Sequence, residues 1–188
     1  MATTPVYAIP YPVLGDAPNG PSQMQALALE VETELVRIDA AIATLNGLDT
    51  AFAGTTTDET GFTNTSYAAG GTPVGVAFTA PASGKVAITF SAGFLQNINT
   101  FVTIVSCEVK TGGTVGSGTL AGAGANGDRA LLCGRAVNSG AVAQLQASRR
   151  VLYTGLTAGA TYNVRMMHAV DGGSGTITYR EVMVEPLL

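Results

Sequence analysis

Between Asn19 and Gly47 the apolar positions recur in alternating steps of four and three. Met24, Ala28, Val31, Leu35, Ile38, Ile42 and Leu45 fall on one line. That is a heptad seam held over three repeats, and it predicts a helix over residues 22–46. Pro21 or Ser22 suits the first turn, and Gly47 after Asn46 suits the stop. At 1.5 Å per residue the seam is roughly 32 Å long. With Leu35 and Ile42 at the a position, Val31 and Ile38 fall at d. β-Branched residues in both layers lean toward three strands. A second, weaker stripe holds Leu29 and Val36. The competing expectation is an amphipathic helix lying on its own β-domain.

Beyond residue 47 the period changes to two. "PVGVAFTAP", bounded by Pro73 and Pro81, reads as a short strand. "GKVAITFSAGFL" alternates Val86, Ile88 and Phe90 toward one face. "TFVTIVSCEV" puts Phe101, Thr103, Val105, Cys107 and Val109 on one side and Val102, Ile104 and Ser106 on the other. "RALLCGRAV", "VAQLQASRRVLYTGL", "TYNVRMMHAV" and "GTITYREVMVEPLL" follow, with "ASGK", "TAGA" and "DGGSG" as turns. Short strands at such intervals predict a mainly β fold, an antiparallel β-sandwich or jelly roll. Residues 47–72 read as a linker with the first strands, and 73–188 as the sandwich head. The glycine-rich stretch 111–127 is too long for a plain hairpin, so it is expected to be mobile or packed in an interface.

Residues 1–21 hold five of the eight prolines. Proline restricts its own φ and the residue before it, so this segment predicts an extended arm. Tyr7, Ile9, Pro10, Tyr11, Pro12, Val13 and Leu14 give it apolar side chains that such an arm cannot bury on itself. They are the candidate residues for docking on a partner.

Composition sharpens this picture in two places. Only 12% of residues are charged, which suits a surface destined for an assembly. The net charge of −4 lies in the first 46 residues, which carry five acids against Arg37 alone. The remainder carries eight acids and eight bases. There is no basic footprint for nucleic acid, no apolar run long enough to span a membrane, and no basic and apolar leader.

Candidate chemistry is thin. "GAGANG" at 122–127 fits G-x-G-x-x-G by letter, but without a βαβ unit or an acid about 20 residues on. His168 is the lone histidine and lacks a nucleophile elbow. Cys107 and Cys133 form no metal motif; two buried thiols are expected, their pairing left open. Asp58 and Glu59 are adjacent in a polar loop, where neighbouring carboxylates point apart. "DGGSG" at 171–175 offers one carboxylate and reads as a turn. No cofactor, metal or catalytic residue is assigned. Glycan binding or cleavage stays a remote alternative: the chain has no Trp, and its Tyr and Phe fall mostly at strand positions.

"YPVLGDAPNGPSQMQALALEVETEL" resembles the N-terminal segment of virion proteins from tailed phages of actinobacteria, of the minor tail or fibre type. "SRRVLYTGLTAGATYNVRMMHAVDGGSGTITYREVMVEPLL" resembles their C-terminal β-module, and "PVGVAFTAPASGKVAITFSAGF" belongs with it. The resemblance implies a non-enzymatic homotrimer on the virion surface, made in the host cytoplasm. Its N-terminal segment would anchor to another virion protein, of tail or capsid. Its β-head would face outward, for a tail fibre toward a host receptor. The fibres it resembles often carry several β-modules, whereas here one helix leads to one head. Capsid decoration is therefore the alternative.

Overall fold

The computed structural model describes residues 2–3, 10–11, 20–46, 49–96, 101–122, 124–133 and 143–188. They divide into two compact units, Met1–Gly47 and Leu48–Leu188. The first holds strands β1 (Ala2–Thr3) and β2 (Pro10–Tyr11) and helix α1 (Gly20–Asn46). β1 pairs antiparallel with β2, Ala2 opposite Tyr11. Short paired strands satisfy backbone groups that a lone extended segment leaves to water.

Helix α1 is rich in Ala, Leu and Glu, which are good helix formers. Its first turn has no acid and its last turn no base, so the macrodipole is uncompensated by side chains. Glu34 and Arg37 pair at 2.8 Å on an exposed surface, worth a few tenths of a kcal/mol. A helix with so little local support depends on burying an apolar face.

The second unit is mainly β, and all its paired strands are antiparallel. Its strands are β3 (Ala51–Thr55), β4 (Glu59–Phe62), β5 (Gly75–Thr79), β6 (Val86–Gln96), β7 (Thr103–Thr111), β8 (Leu131–Cys133), β9 (Ala143–Tyr153), β10 (Thr161–Val170) and β11 (Gly175–Pro186). One sheet runs β5-β10-β7-β8. The other runs β3-β11-β6-β9, with β4 also on β11. β3 and β4, in the stretch read as a linker with the first strands, both pair with β11. A 3-10 turn (Gly127–Arg129) precedes β8 and is capped by the Asn126 side chain.

One core joins the sheets. Val86, Ile88, Phe90, Ala92 and Phe94 of β6 meet Val105, Cys107 and Val109 of β7 and Val164 and Met166 of β10. Each large apolar side chain buried this way stabilises by about 1.5–3 kcal/mol. The alternation predicted for β6 and β7 is the alternation that buries these residues.

β11 breaks its own alternation. Its register on β6 shifts between Ile177 and Tyr179, the mark of a β-bulge. Ile177 faces the core, but beyond the bulge Arg180, Val182 and Val184 do so and Tyr179 turns outward. Gly93 lies opposite; a Cβ there would come within 2.7 Å of Thr178 Oγ1. The glycine gives the bulge its room.

The outer face of β10 and β7 is covered by the same chain. After β7 the glycine-rich segment turns back, with Ala121 N–H donating to Val109 O at 2.9 Å. Asn163 of β10 staples it down. Its Oδ1 accepts from Gly116 N at 2.8 Å, and its Nδ2 donates to Gly112 O at 2.9 Å and Ser117 O at 3.1 Å. The segment is thus held on its own sheet, against the expectation of a mobile or interface loop. Beneath it Glu108 accepts from Arg165 Nε at 3.0 Å and pairs with Lys110 at 3.1 Å.

Asn163→Ala removes every one of those staples. The variant should keep its sheet circular dichroism but be cut by thermolysin at Val115 or Leu120 at least about tenfold faster, as expected for losing several hydrogen bonds that contribute about 0.5–1.5 kcal/mol each. Limited proteolysis with mass analysis reads this directly.

Candidate functional surfaces

Helix α1 presents its seam to solvent. Met24, Ala28, Val31, Leu35, Ile38 and Ile42 are all exposed, and the Leu45 side chain lies outside the described residues. Leu29 and Val36, on the second stripe, are exposed too. A continuous row of large apolar side chains on a charge-poor chain marks a contact surface. Its chemistry is non-directional burial, limited by the acids beside it: Glu32, Glu34 and Asp39 offer a second copy no attractive partners.

Of the arm residues assigned to docking, Pro10 and Tyr11 form β2, which touches the helix. Tyr7, Ile9, Pro12, Val13 and Leu14 lie outside the described residues.

The head interior contains a charged cluster that the sequence reading missed. Arg180, 2% exposed, points from β11 into the core. Its Nη1 lies 3.6 Å from Glu59 Oε2, and its Nη2 donates to Thr57 O at 3.3 Å. Glu59 also accepts from Gly71 N at 2.9 Å and Thr72 N at 3.3 Å. His168 of β10 is buried beside them, its ring 4.2 Å from that of Phe62. Gly70, at φ 78°, passes so close that a Cβ would strike both His168 and Glu59.

Burial alone would raise the Glu59 carboxyl. The amides of Gly71 and Thr72 and the charges of Arg180 and His168 outweigh it, and the group sits below its ordinary 4.5. His168 is pushed below 6.5, chiefly by burial; Glu59 pulls it up and Arg180 pushes it further down. Glu59 is thus committed to Arg180 and backbone amides, while its neighbour Asp58 is exposed. The two carboxylates do not converge on a common point. The signal in the sequence was Arg180 sharing its parity with Val182 and Val184.

Cys107 is a free, buried thiol, 3.7 Å from the Tyr153 hydroxyl. Burial pushes it up to about 11, which makes it a poor nucleophile. Arg129 stacks over Tyr153, 4.6 Å from the ring centre. Cys133 is in β8, its side chain outside the described residues. "DGGSG" forms the turn from β10 to β11, where Asp171 accepts from Val102 N. Among the described residues, no cluster of three His, Cys, Asp or Glu could hold a metal ion, and no helix is long and apolar enough to cross a membrane.

No protein-family model matches the chain, and no curated protein matches it in sequence.

The cluster makes the head acid-sensitive in a defined order. Folded His168 refuses a proton that the unfolded chain accepts, so stability falls as pH drops below 6.5. Glu59 adds stability that is present above 4.5 and is lost as pH falls through its lower folded value. Thermal melts across this range should show both losses, and His168→Gln should flatten the first. Glu59→Ala should cost about 3–5 kcal/mol, because Arg180 stays buried without its partner.

Proposed function

We propose that this chain is a structural protein of a tailed-phage virion. It is a homotrimer held to the particle by its N-terminal arm, with the β-head presented outward as a tail-fibre-like appendage. The exposed heptad seam of α1 carries this reading: it is a long apolar stripe whose 3.5-residue period and β-branched layers suit a three-stranded coiled coil. The resemblance of the first and last segments to actinobacteriophage minor tail and fibre proteins supplies the particle.

Within this proposal the head is a jelly roll. Strands β3 and β5–β11 form two four-stranded rows, β3-β11-β6-β9 and β5-β10-β7-β8, with chain crossings from one to the other. That order supports the assignment, and jelly rolls serve as capsid and lectin domains. The chain is non-enzymatic in this reading. Its partners are two further copies of itself, a tail or capsid protein under the arm, and a host-surface receptor. The second reading is a capsid decoration protein, favoured by the shortness of the helix, 27 residues.

Deleting residues 1–21 should leave a folded oligomer that no longer binds purified particles. A truncated chain that still decorates particles would refute the arm as anchor. Ile38→Asp places a charge in the seam, where burial without a partner is heavily penalised. Light scattering should then give the mass of one chain, and an unchanged oligomer mass would exclude the seam as the contact.

A further inference from the structure

We propose that the covered outer face of β7 and β10 is a self-modification site. There the Lys110 amine displaces ammonia from the Asn163 carboxamide and leaves an amide bond between the two side chains, with Glu108 carrying the proton. The bond forms within one chain, so it needs neither a partner nor the virion reading above.

Strand register brings the reactants together. Asn163 of β10 lies directly opposite Lys110 of β7, and Glu108 lies two residues back on the same face, opposite Arg165. Side chains directly opposite on antiparallel strands start about 4.5–5.5 Å apart at Cβ. The flexible four-carbon stem of a lysine spans that gap. Lys110 Nζ is 3.1 Å from Glu108 Oε1 and donates to Gly116 O at 3.1 Å. Asn163 Oδ1 accepts from Gly116 N–H at 2.8 Å. Amine and carboxamide therefore meet at the two backbone groups of one residue. All three side chains are shielded from water: Asn163 is 1% exposed, and the side chains of Glu108 and Lys110 are 10% and 19% exposed. An amine beside a fixed base in a dry site is an activated nucleophile.

The surroundings suit the reaction better than they suit a resting amide. An amide nitrogen has two protons to give. Four carbonyl oxygens, of Lys110, Thr111, Gly112 and Ser117, lie 2.9 to 3.5 Å from Asn163 Nδ2. The surplus acceptors match the same nitrogen once it is protonated to leave. The Gly116 N–H is aimed at Oδ1, where negative charge builds up, as an oxyanion donor must be. Gly116 stands at φ 81°, and a Cβ on it would come within 2.4 Å of the Arg165 guanidinium. Glycine lets this backbone press down onto the cluster. Arg165 Nε holds Glu108 Oε1 at 3.0 Å. It fixes the carboxylate beside the amine and favours its ionised form, so the proton is taken up and returned slowly, in a single maturation event.

Glu108 takes a proton from the Lys110 ammonium. The freed electron pair attacks Asn163 Cγ; the C–N bond forms as the carbonyl electrons move onto Oδ1. Glu108 returns the proton to Nδ2, and collapse of the intermediate breaks the Cγ–Nδ2 bond. Ammonia leaves with the remaining amine proton as ammonium. Nothing is oxidised or reduced, and no co-reactant is consumed. The product ties two strands at positions 53 residues apart in sequence, a constraint on the unfolded chain of the kind a disulfide supplies.

Intact-mass spectrometry of the denatured full chain, after prolonged incubation of the folded protein at neutral pH, tests this. The wild type should be lighter than its sequence by one ammonia, about 17 Da. Trypsin should then skip Lys110, and residues 86–129 should emerge joined to residues 151–165. Lys110→Arg and Glu108→Gln should each keep the full mass with unchanged circular dichroism. The Asn-Gly pairs at 19–20, 46–47 and 126–127 can also lose ammonia by closing on the backbone. The mass is therefore read again after mild base, which reopens that ring and spares a side-chain amide. A wild type of full mass, a deficit that base removes, or a deficit that persists in Lys110→Arg would overturn the proposal.

Discussion

Strand β11 is the member on which the head depends. It lies inside its sheet, hydrogen-bonded to β3 and β4 on one side and to β6 on the other. Its inward residues Ile177, Val182 and Val184 reach the shared core, and the bulge at Thr178 decides which residues those are. One inserted residue moves Arg180 into the interior and Tyr179 to the surface. The first consequence is a buried guanidinium that must be answered by Glu59 and by the backbone of Thr57. The second is an outer face with an aromatic at its centre.

The buried cluster and the open face are thus two results of the same local choice. A buried ion pair is weak evidence for stability, because desolvation offsets the attraction. What the pair does visibly is connect separate segments. Glu59 ties the loop at Gly71 and Thr72 to β11, and Gly70 gives His168 the space to pack against Phe62. Segment 64–74 is then placed to satisfy the β10 edge beyond β5: Ala68 exchanges hydrogen bonds with His168, and Val74 O accepts from Met166 N. Irregular backbone replaces a strand there without leaving the edge of β10 unpaired.

Much of this was legible in the sequence, and the reasons are local. The alternation of Val86, Ile88 and Phe90, and of Val105, Cys107 and Val109, needs only a pleat and a core, so it survived intact. The helix was legible because its period and its stop signals lie within one segment. The bulge was not, because a slip in parity is defined by the partner strand and by Gly93 opposite. The roof over β10 was not legible either: Asn163 acts on Gly116, 47 residues away. Nor was the pairing of Ala2–Thr3 with Pro10–Tyr11, since proline content favours extended backbone without saying what it pairs with. The interior role of Glu59 was hidden by its polar neighbours, while Arg180 could have been flagged by its apolar company on β11.

The exposed seam is an apolar surface offered by a chain with few charges, and the proposed place in a larger particle would account for it. The proposed virion role is tested most directly by the number of copies per particle, by quantitative mass spectrometry of purified phage particles. The account predicts the chain's presence in a multiple of three, from a few to a few dozen copies for a tail appendage. Hundreds of copies would move it to the capsid surface, and its absence from the particle would contradict the account.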